Sequence, residues 1–126
     1  MWQYSQSLGQ IVDGSSSKPQ TFLGYSGAYG STPADEGKVD FGPIVQGDYS
    51  IGAATAEKGP LSLPLTPDAA TAAKIASYGR TPYDSFLIHG DNAAHPGHSS
   101  DGCIVLSEAA RQAIVDSKDT DLRVVA

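Results

Sequence analysis

His89 and Cys103 are the two residues whose types and positions best suit covalent chemistry. His89 follows the apolar segment 86–88, and Cys103 comes directly after Gly102 and before another apolar segment. A free thiol has a pKa of about 8.5, so a neighbouring imidazole must take its proton to give a nucleophile at neutral pH. The imidazolium can then protonate a leaving amine. The pair predicts acyl transfer through a thioester on Cys103, with His89 as the general base.

Gly102 supports this interpretation, because a glycine lets the backbone approach a substrate closely. The amides of Gly102 and Cys103 could then point at a developing oxyanion. The alternative is that Cys103 is a small buried hydrophobic residue, which is the commoner role of a lone cysteine. His89 alone could equally be a hydrogen-bonded histidine at the end of a strand.

A zinc site is a second chemical interpretation. His95 and His98 are separated by two residues, a gap that can serve one ion. Pro96 between them disfavours the helix on which the His-Glu-x-x-His motif depends. The residue types that can bind zinc in this part of the chain are His89, Asp91, His95, His98 and Cys103.

Short strands and two helices must position these residues. The chain has 14 glycines and 8 prolines, and short apolar or alternating segments lie between them. Pro64 suggests that its strand lies at a sheet edge. The segment from Ser26 to Asp40, rich in Gly, Ser and Pro, predicts a long loop. We expect strands at Trp2–Gln6, Gly9–Val12, Thr21–Tyr25, Asp48–Gly52, Leu61–Leu65, Phe86–Ile88, Cys103–Leu106 and Leu122–Val125.

The two predicted helices cover Asp68–Tyr78 and Glu108–Val115. Ser107 is a typical N-cap for the second. Its buried face is expected to contain Ala109, Ala110, Ala113 and Ile114. The sequence therefore predicts a single β-rich domain, mainly β with one or two short helices, over residues 1–126.

Composition limits the partners. The chain has 126 residues, which suits one domain. Its net charge of −6 gives no basic surface for nucleic acid or anionic lipid. No apolar run approaches the ~20 residues of a membrane-spanning helix, so we expect no membrane insertion. The first seven residues contain neither a basic nor an apolar region, so we expect no general secretion signal.

Two segments together resemble the active-site signature of the L,D-transpeptidase (YkuD-like) family. They are Ile88-His89-Gly90-Asp91-Asn92 and Ser100-Asp101-Gly102-Cys103-Ile104. The family signature is a His-Gly, a spacer, and then Ser/Thr-His-Gly-Cys with an apolar residue. The likeness runs from about Trp2 to Val125 and is strongest to compact toxins delivered by type VI secretion systems. Segments similar to that branch are Gly24–Gly27, Gly42–Ile44, Gly47–Gly52, Gly79-Arg80 and Phe86–Asp91.

The resemblance implies a YkuD-like catalytic domain that needs no cofactor, with Cys103 as nucleophile and His89 as base. It implies a peptidoglycan stem peptide as substrate. The enzyme would remove the terminal D-Ala of a tetrapeptide as an L,D-carboxypeptidase, or exchange it for a D-amino acid acceptor as an L,D-transpeptidase. It further implies delivery without a signal peptide, action in the periplasm of a target bacterium, and a cognate immunity protein.

The chain departs from the family pattern at two positions. Asp101 stands where the family has His, and an inward-pointing carboxylate there would raise the pKa of the thiol. Val105 stands where many members have Arg, so a carboxylate anchor must come from elsewhere, and Arg80 is our candidate. Asp101 also favours an alternative function, a catalytically inactive peptidoglycan-binding module of the same fold. Papain-like cell-wall amidases are disfavoured because they place Cys before His in the chain.

The remaining candidates have supporting roles. Ser100 is expected to orient His89 or the turn before Cys103. Tyr25 and Tyr29 flank a glycine-rich loop and could line a stem-peptide groove or pack beneath the loop. The candidate substrate-binding residues are Arg80, Tyr25, Gly90, Asp91 and His98. The candidate catalytic residues are Cys103, His89, Gly102, Ser100 and Asp101.

Overall fold

Eight strands among the described residues close into a barrel. The computed structural model describes residues 1–14, 17–28, 31–83, 86–92, 94, 97 and 100–126. The spatial order is β1-β2-β3-β7-β6-β5-β4-β8, and β8 returns to β1. The strands are β1 (Trp2–Ser5), β2 (Gln10–Asp13), β3 (Thr21–Ser26), β4 (Gly47–Ile51), β5 (Leu63–Pro67), β6 (Leu87–His89), β7 (Ile104–Leu106) and β8 (Asp121–Val125).

Most neighbouring strands are antiparallel, with two exceptions. β1 pairs with β8 in parallel, and β6 pairs with β7 in parallel. The second pair matters for chemistry, because His89 ends β6 and Cys103 directly precedes β7. In its register Ile88 pairs with Ile104, and His89 pairs with Val105.

Alternation of side chains along the strands forms one apolar core. Trp2 and Tyr4 on β1 are each 1% exposed, while Gln3 between them is exposed. Ile88 and Ile104 are fully buried in the same cluster, so this face of β6 and β7 points into the core. The core therefore occupies the inward face of the sheet, and the outward face is the one available for a functional site.

Two helices cover the barrel, each started by a side-chain cap. α1 (Ala69–Ser77) begins after Asp68, whose carboxylate accepts from the Thr71 amide at 2.9 Å. α2 (Glu108–Ser117) begins after Ser107, whose hydroxyl accepts from the Ala110 amide at 3.2 Å. Such caps stabilise a helix by about 1 kcal/mol. The predicted β-rich class with two short helices is thus confirmed.

Several details differ from the sequence predictions. The strand containing Pro64 pairs with β4 on one side and β6 on the other, so it is not an edge strand. Pro64 is tolerated because its carbonyl, not an N–H, is used by Gly52 at 2.8 Å. On α2, Ala109 was predicted to be buried but is exposed. Arg111 is buried instead, so the buried face of this helix is not entirely apolar. Ser26, the first residue of the predicted 26–40 loop, belongs to β3, and the described part of that loop includes a short 3-10 helix, Pro33–Asp35.

Candidate active site

The segment 100–103, here called the Cys103 turn, leads directly into β7. β7 starts at Ile104, so Cys103 lies just before the strand and not within it as predicted. The parallel register places Val105 beside His89. By continuation of that register, Cys103 lies level with Leu87, two residues before His89 along the neighbouring strand.

His89 and Cys103 share the face of the sheet that points away from the core. Ile88 and Ile104 point inward, and successive side chains alternate, so His89 and Val105 point outward. Cys103, two residues before Val105, has the same parity. A strand spacing of ~4.8 Å and a two-residue rise of ~6.6 Å give a Cα separation of about 8 Å. The side chains of a cysteine and a histidine can meet across that separation.

The hydrogen bond made by His89 selects the tautomer of its ring. The side chain is buried, and its Nδ1 lies 2.8 Å from the carbonyl oxygen of Gly90. A carbonyl only accepts, so Nδ1 carries the proton and donates it. Nε2 of the neutral ring is then an acceptor, as a general base requires.

The surroundings of Cys103 keep its sulfur protonated at rest. Burial raises the pKa of the thiol above its ordinary value, and this is the largest influence. A backbone hydrogen bond from Leu87 and the charges of Lys58 and Arg80 oppose it, while the carboxylate of Asp101 adds to it. The net effect is a raised pKa, so a nucleophilic sulfur needs a base at the moment of attack.

Ser100 organises the Cys103 turn from within. Its buried hydroxyl donates to the Cys103 carbonyl at 2.5 Å and accepts from the Gly102 amide at 3.1 Å. The same oxygen accepts from the Gly27 amide at 2.9 Å, which ties the turn to the end of β3. These bonds match a role in orienting the turn. They also engage the Gly102 amide, which we had assigned to an oxyanion.

Ser26 braces the same turn from β3, and the sequence analysis missed it. Its buried hydroxyl donates to the Gly102 carbonyl at 3.0 Å and accepts from the Ile44 amide at 2.8 Å. A signal was present, because Ser26 continues the inward-facing series of Phe22 and Gly24. A polar residue in that series must find partners inside the fold.

Gly102 is a glycine for two separate reasons. Its φ is +134°, a conformation that L-residues rarely adopt. A Cβ at this position would lie 2.8 Å from the Phe86 ring and 3.4 Å from Nη1 of Arg80. The backbone before Cys103 therefore depends on the absence of a side chain.

Arg80 contacts the Cys103 turn and the Phe86 ring instead of facing open solvent. Its Nη1 donates to the Asp101 carbonyl at 2.8 Å, and its guanidinium lies 5.0 Å from the centre of the Phe86 ring. A looser ion pair joins it to Asp40 at 3.6 Å. These contacts favour a positioning role over the carboxylate anchor we expected. Asp101 itself is exposed, so its carboxylate does not point into the fold.

Tyr25 and Asp91 form a polar pair beside His89. Tyr25 pairs with Val105, which in turn pairs with His89, so the three lie in one row across β3, β7 and β6. The Tyr25 hydroxyl donates to Asp91 Oδ1 at 2.8 Å. Asp91 also accepts from the amides of Asn92 at 2.8 Å and Gly97 at 2.9 Å. Asp91 thus connects Tyr25 on β3 to Asn92 and Gly97, which follow β6.

Three predicted residues lie outside the described residues: Tyr29, His95 and His98. Their proposed roles stay predictions. Within the described part of the chain, no three His, Cys, Asp or Glu side chains are grouped as a metal site would require.

Arg111 is the second residue that the sequence analysis missed. It is 8% exposed and lies on the inner stripe of α2 with Ala110 and Ile114. Its place in the helical spacing of that stripe was the available signal. Its guanidinium lines two adjoining cavities of about 420 and 290 Å³, together called the Arg111 groove. Residues common to both cavities are Gly90, Asp91, Glu108 and Arg111.

Comparison with known proteins identifies no family for this chain. No protein-family model, curated protein or solved structure matches the chain. Among the described residues there is also no helix with the length and apolar character needed to span a membrane. The functional interpretation therefore depends on the sequence motif and the geometry of the site.

Proposed function

We propose that this protein is a cysteine enzyme of the YkuD-like L,D-transpeptidase type, acting on peptidoglycan stem peptides. The observation that carries the proposal is the parallel pairing of β6 and β7, since His89 ends β6 and Cys103 directly precedes β7 on the same face of the sheet. The His89–Gly90 hydrogen bond supports it, because that bond leaves Nε2 as an acceptor. The resemblance of both segments to the family signature supplies the substrate class.

The reaction begins with the neutral thiol. As the sulfur of Cys103 attacks the carbonyl carbon before the terminal D-Ala, His89 Nε2 takes the thiol proton. The tetrahedral intermediate collapses, the C–N bond breaks, and His89 returns the proton to the leaving amine. A thioester on Cys103 and free D-Ala result. Water then attacks the thioester in carboxypeptidase action, or the amine of a D-amino acid attacks in exchange, and the thiol is restored.

The raised pKa of Cys103 suits this order of events. Cys103 is partly exposed, and burial raises the pKa of its thiol, so the sulfur is a poor nucleophile until His89 removes the proton. The rigid Cys103 turn supports the same function, because a nucleophile held in place loses little freedom on reaction.

On the resemblance alone we extend the proposal to the biological setting. The protein would be an antibacterial type VI secretion effector that acts in the periplasm of the target cell and depletes donor stems. The producing cell would carry a cognate immunity protein.

Mass spectrometry of tetrapeptide muropeptides tests the proposal. Wild type should remove the terminal D-Ala, or exchange it when a different D-amino acid is added. Cys103→Ala should do neither while keeping the wild-type circular dichroism spectrum. Intact-protein mass spectrometry should show an acyl adduct on wild type only. Turnover by folded Cys103→Ala would overturn the assignment of the nucleophile.

A non-catalytic peptidoglycan-binding module is the second candidate, and it is favoured by Asp101, which stands where the family signature has His. That function predicts binding of muropeptides by wild type and Cys103→Ala alike, without any change in muropeptide mass. The same samples therefore distinguish the two functions.

A further inference from the structure

The positive charge of Arg111 is buried without a carboxylate partner in the described residues. Its Nε donates to the carbonyls of Leu106 at 3.2 Å and Ser107 at 3.3 Å, and its Nη1 donates to those of Pro60 at 2.7 Å and Leu61 at 3.3 Å. Arg111 takes part in none of the ion pairs found among the described residues. Burying a charge is costly unless it is paired, so this site favours binding of an anion.

Nη2, the third nitrogen of the Arg111 guanidinium, lies toward the groove. None of the four hydrogen bonds uses Nη2, which lies 2.7 Å from the position a Gly90 Cβ would occupy. The φ of Gly90 is not positive, so the glycine is required for space and not for backbone conformation. Because Gly90, the residue after His89, has no side chain, Nη2 of Arg111 stays accessible at this point.

The groove begins beside His89. Val105, the neighbour of His89 in the β6–β7 register, lines the larger cavity. A group that occupies the groove therefore lies past His89, on the side opposite Cys103. A leaving amine, or an amine that replaces it, must exchange a proton with His89, and this is the side from which it can do so.

The other charges around the groove limit what it accepts. Asp91 and Glu108 line both cavities, and Lys58 lines the smaller one. Two acids balance two bases, so a multiply charged anion such as phosphate is not favoured. A single carboxylate next to a nitrogen fits, because the carboxylate can meet Arg111 while the nitrogen faces the acidic side chains.

We propose that Arg111 binds the terminal carboxylate of the residue that leaves or enters during acyl transfer. This inference rests on the proposed function and deepens it, because it explains selection of a stem that ends in a free amino acid. The same contact would hold the D-Ala of the substrate and the carboxylate of an incoming D-amino acid. Arg111 would then supply the carboxylate recognition for which we had chosen Arg80.

Kinetics with two matched substrates test this assignment. An N-acetylated tetrapeptide is compared as the free acid and as the C-terminal amide. Wild type should prefer the acid in kcat/KM by about 10- to 100-fold, the range expected for a hydrogen bond to a charged group. Arg111→Gln should lose that preference by slowing the acid alone, whereas an equal loss on both substrates would show a structural role and overturn the proposal. Arg123→Gln, the same change at an exposed arginine on β8, is the control and should keep the preference.

A binding measurement separates this inference from the proposed function. Cys103→Ala protein is titrated calorimetrically with N-acetyl-D-alanine and with its amide. Tighter binding of the acid by about tenfold or more, lost on addition of Arg111→Gln, supports the site even if no turnover is found. Equal binding of acid and amide overturns it.

A second variant covers a failure of Arg111→Gln to fold. Gly90→Ala retains Arg111 but puts a methyl carbon 2.7 Å from Nη2 and 3.2 Å from Cζ, so the guanidinium must move from its position in the groove. It should weaken binding of the acid and leave the amide unaffected. Unchanged discrimination in folded Gly90→Ala would also overturn the proposal.

Discussion

The Cys103 turn and the Arg111 groove lie on opposite sides of His89 and use their polar groups in opposite ways. In the turn, the hydroxyls of Ser100 and Ser26 satisfy backbone groups on both sides of Gly102. In the groove, Arg111 is fixed through two of its nitrogens, while the third takes part in none of these bonds and lies beside Gly90. The first region is closed upon itself and holds one group rigid. The second is anchored but incomplete, as expected of a region that receives a ligand.

The contrast also appears in the two arginines. The guanidinium of Arg80 already has partners in the protein, namely the Asp101 carbonyl, the Phe86 ring and Asp40. Arg111 has only carbonyl partners for its charge among the described residues. Identical side chains thus serve support in one region and recognition in the other, and only their contacts distinguish them.

His89 joins the two regions, so its loss should have the largest effect. His89→Ala should lower turnover by about 10²- to 10⁴-fold, the usual contribution of a general base. Steady-state kinetics on the tetrapeptide measures it, with folding checked by circular dichroism. His95→Ala is the control and should change little. If it were as inactive as His89→Ala, the base would have been misassigned.

Gly102→Ala should have the second-largest effect, because it directly disturbs the backbone of the Cys103 turn. The φ of +134° is strained for alanine, at a cost of about 1–3 kcal/mol, and the methyl group meets the Phe86 ring. We expect a lower denaturation midpoint and strongly reduced kcat. Gly79→Ala, also at a positive φ but with no atom near its Cβ, is the matched control for backbone strain alone. Equal effects on kcat would show that contact with Phe86 is irrelevant.

Ser100→Ala should have a smaller effect of the same kind. It leaves the Cys103 carbonyl and the amides of Gly102 and Gly27 without this partner, which costs about 1–3 kcal/mol when such groups are buried. Chemical denaturation gives the stability, and kcat should fall while KM for the tetrapeptide stays near the wild-type value. A change confined to KM would place Ser100 in substrate binding instead.

The local elements could be predicted from sequence because their signals are local. The Ser107 cap, the glycine breaks and the apolar segments around His89 and Cys103 are each readable within a few residues. The site motif was readable for the same reason, since both halves are short and contain rare residue types.

The parts that were missed depend on contacts between distant segments. Arg111 is fixed by Pro60 and Leu61, about fifty residues earlier in the chain, and Ser26 acts on Gly102 at a separation of 76 residues. Pro64 is likewise interior because β5 pairs with both β4 and β6, and the proline itself gives no sign of the second pairing. No local pattern contains these pairings, so a polar residue on an inward stripe was the one available indication.

Acid should weaken the turn before it weakens the groove, and this is the smallest effect we expect. Glu36, 9% exposed, accepts from the Gln46 amide at 2.7 Å and the Tyr78 hydroxyl at 2.8 Å, close to Ile44, which holds Ser26. Burial acts to raise the pKa of Glu36, but hydrogen bonds, led by that from Gln46, lower it below its ordinary 4.5.

A lowered pKa in the folded state means that ionised Glu36 stabilises the protein fully above pH 4.5, and that this contribution is lost as the pH falls through the lower folded value. Hydrogen exchange between pH 5 and pH 3, corrected for intrinsic rates, should show the Ile44 and Gln46 amides losing protection before the Arg111 amide on α2. In Glu36→Gln the order should no longer depend on pH. If the α2 amide lost protection first, the groove would be the weaker of the two regions, and the contrast between a closed turn and an open groove would not extend to their stability.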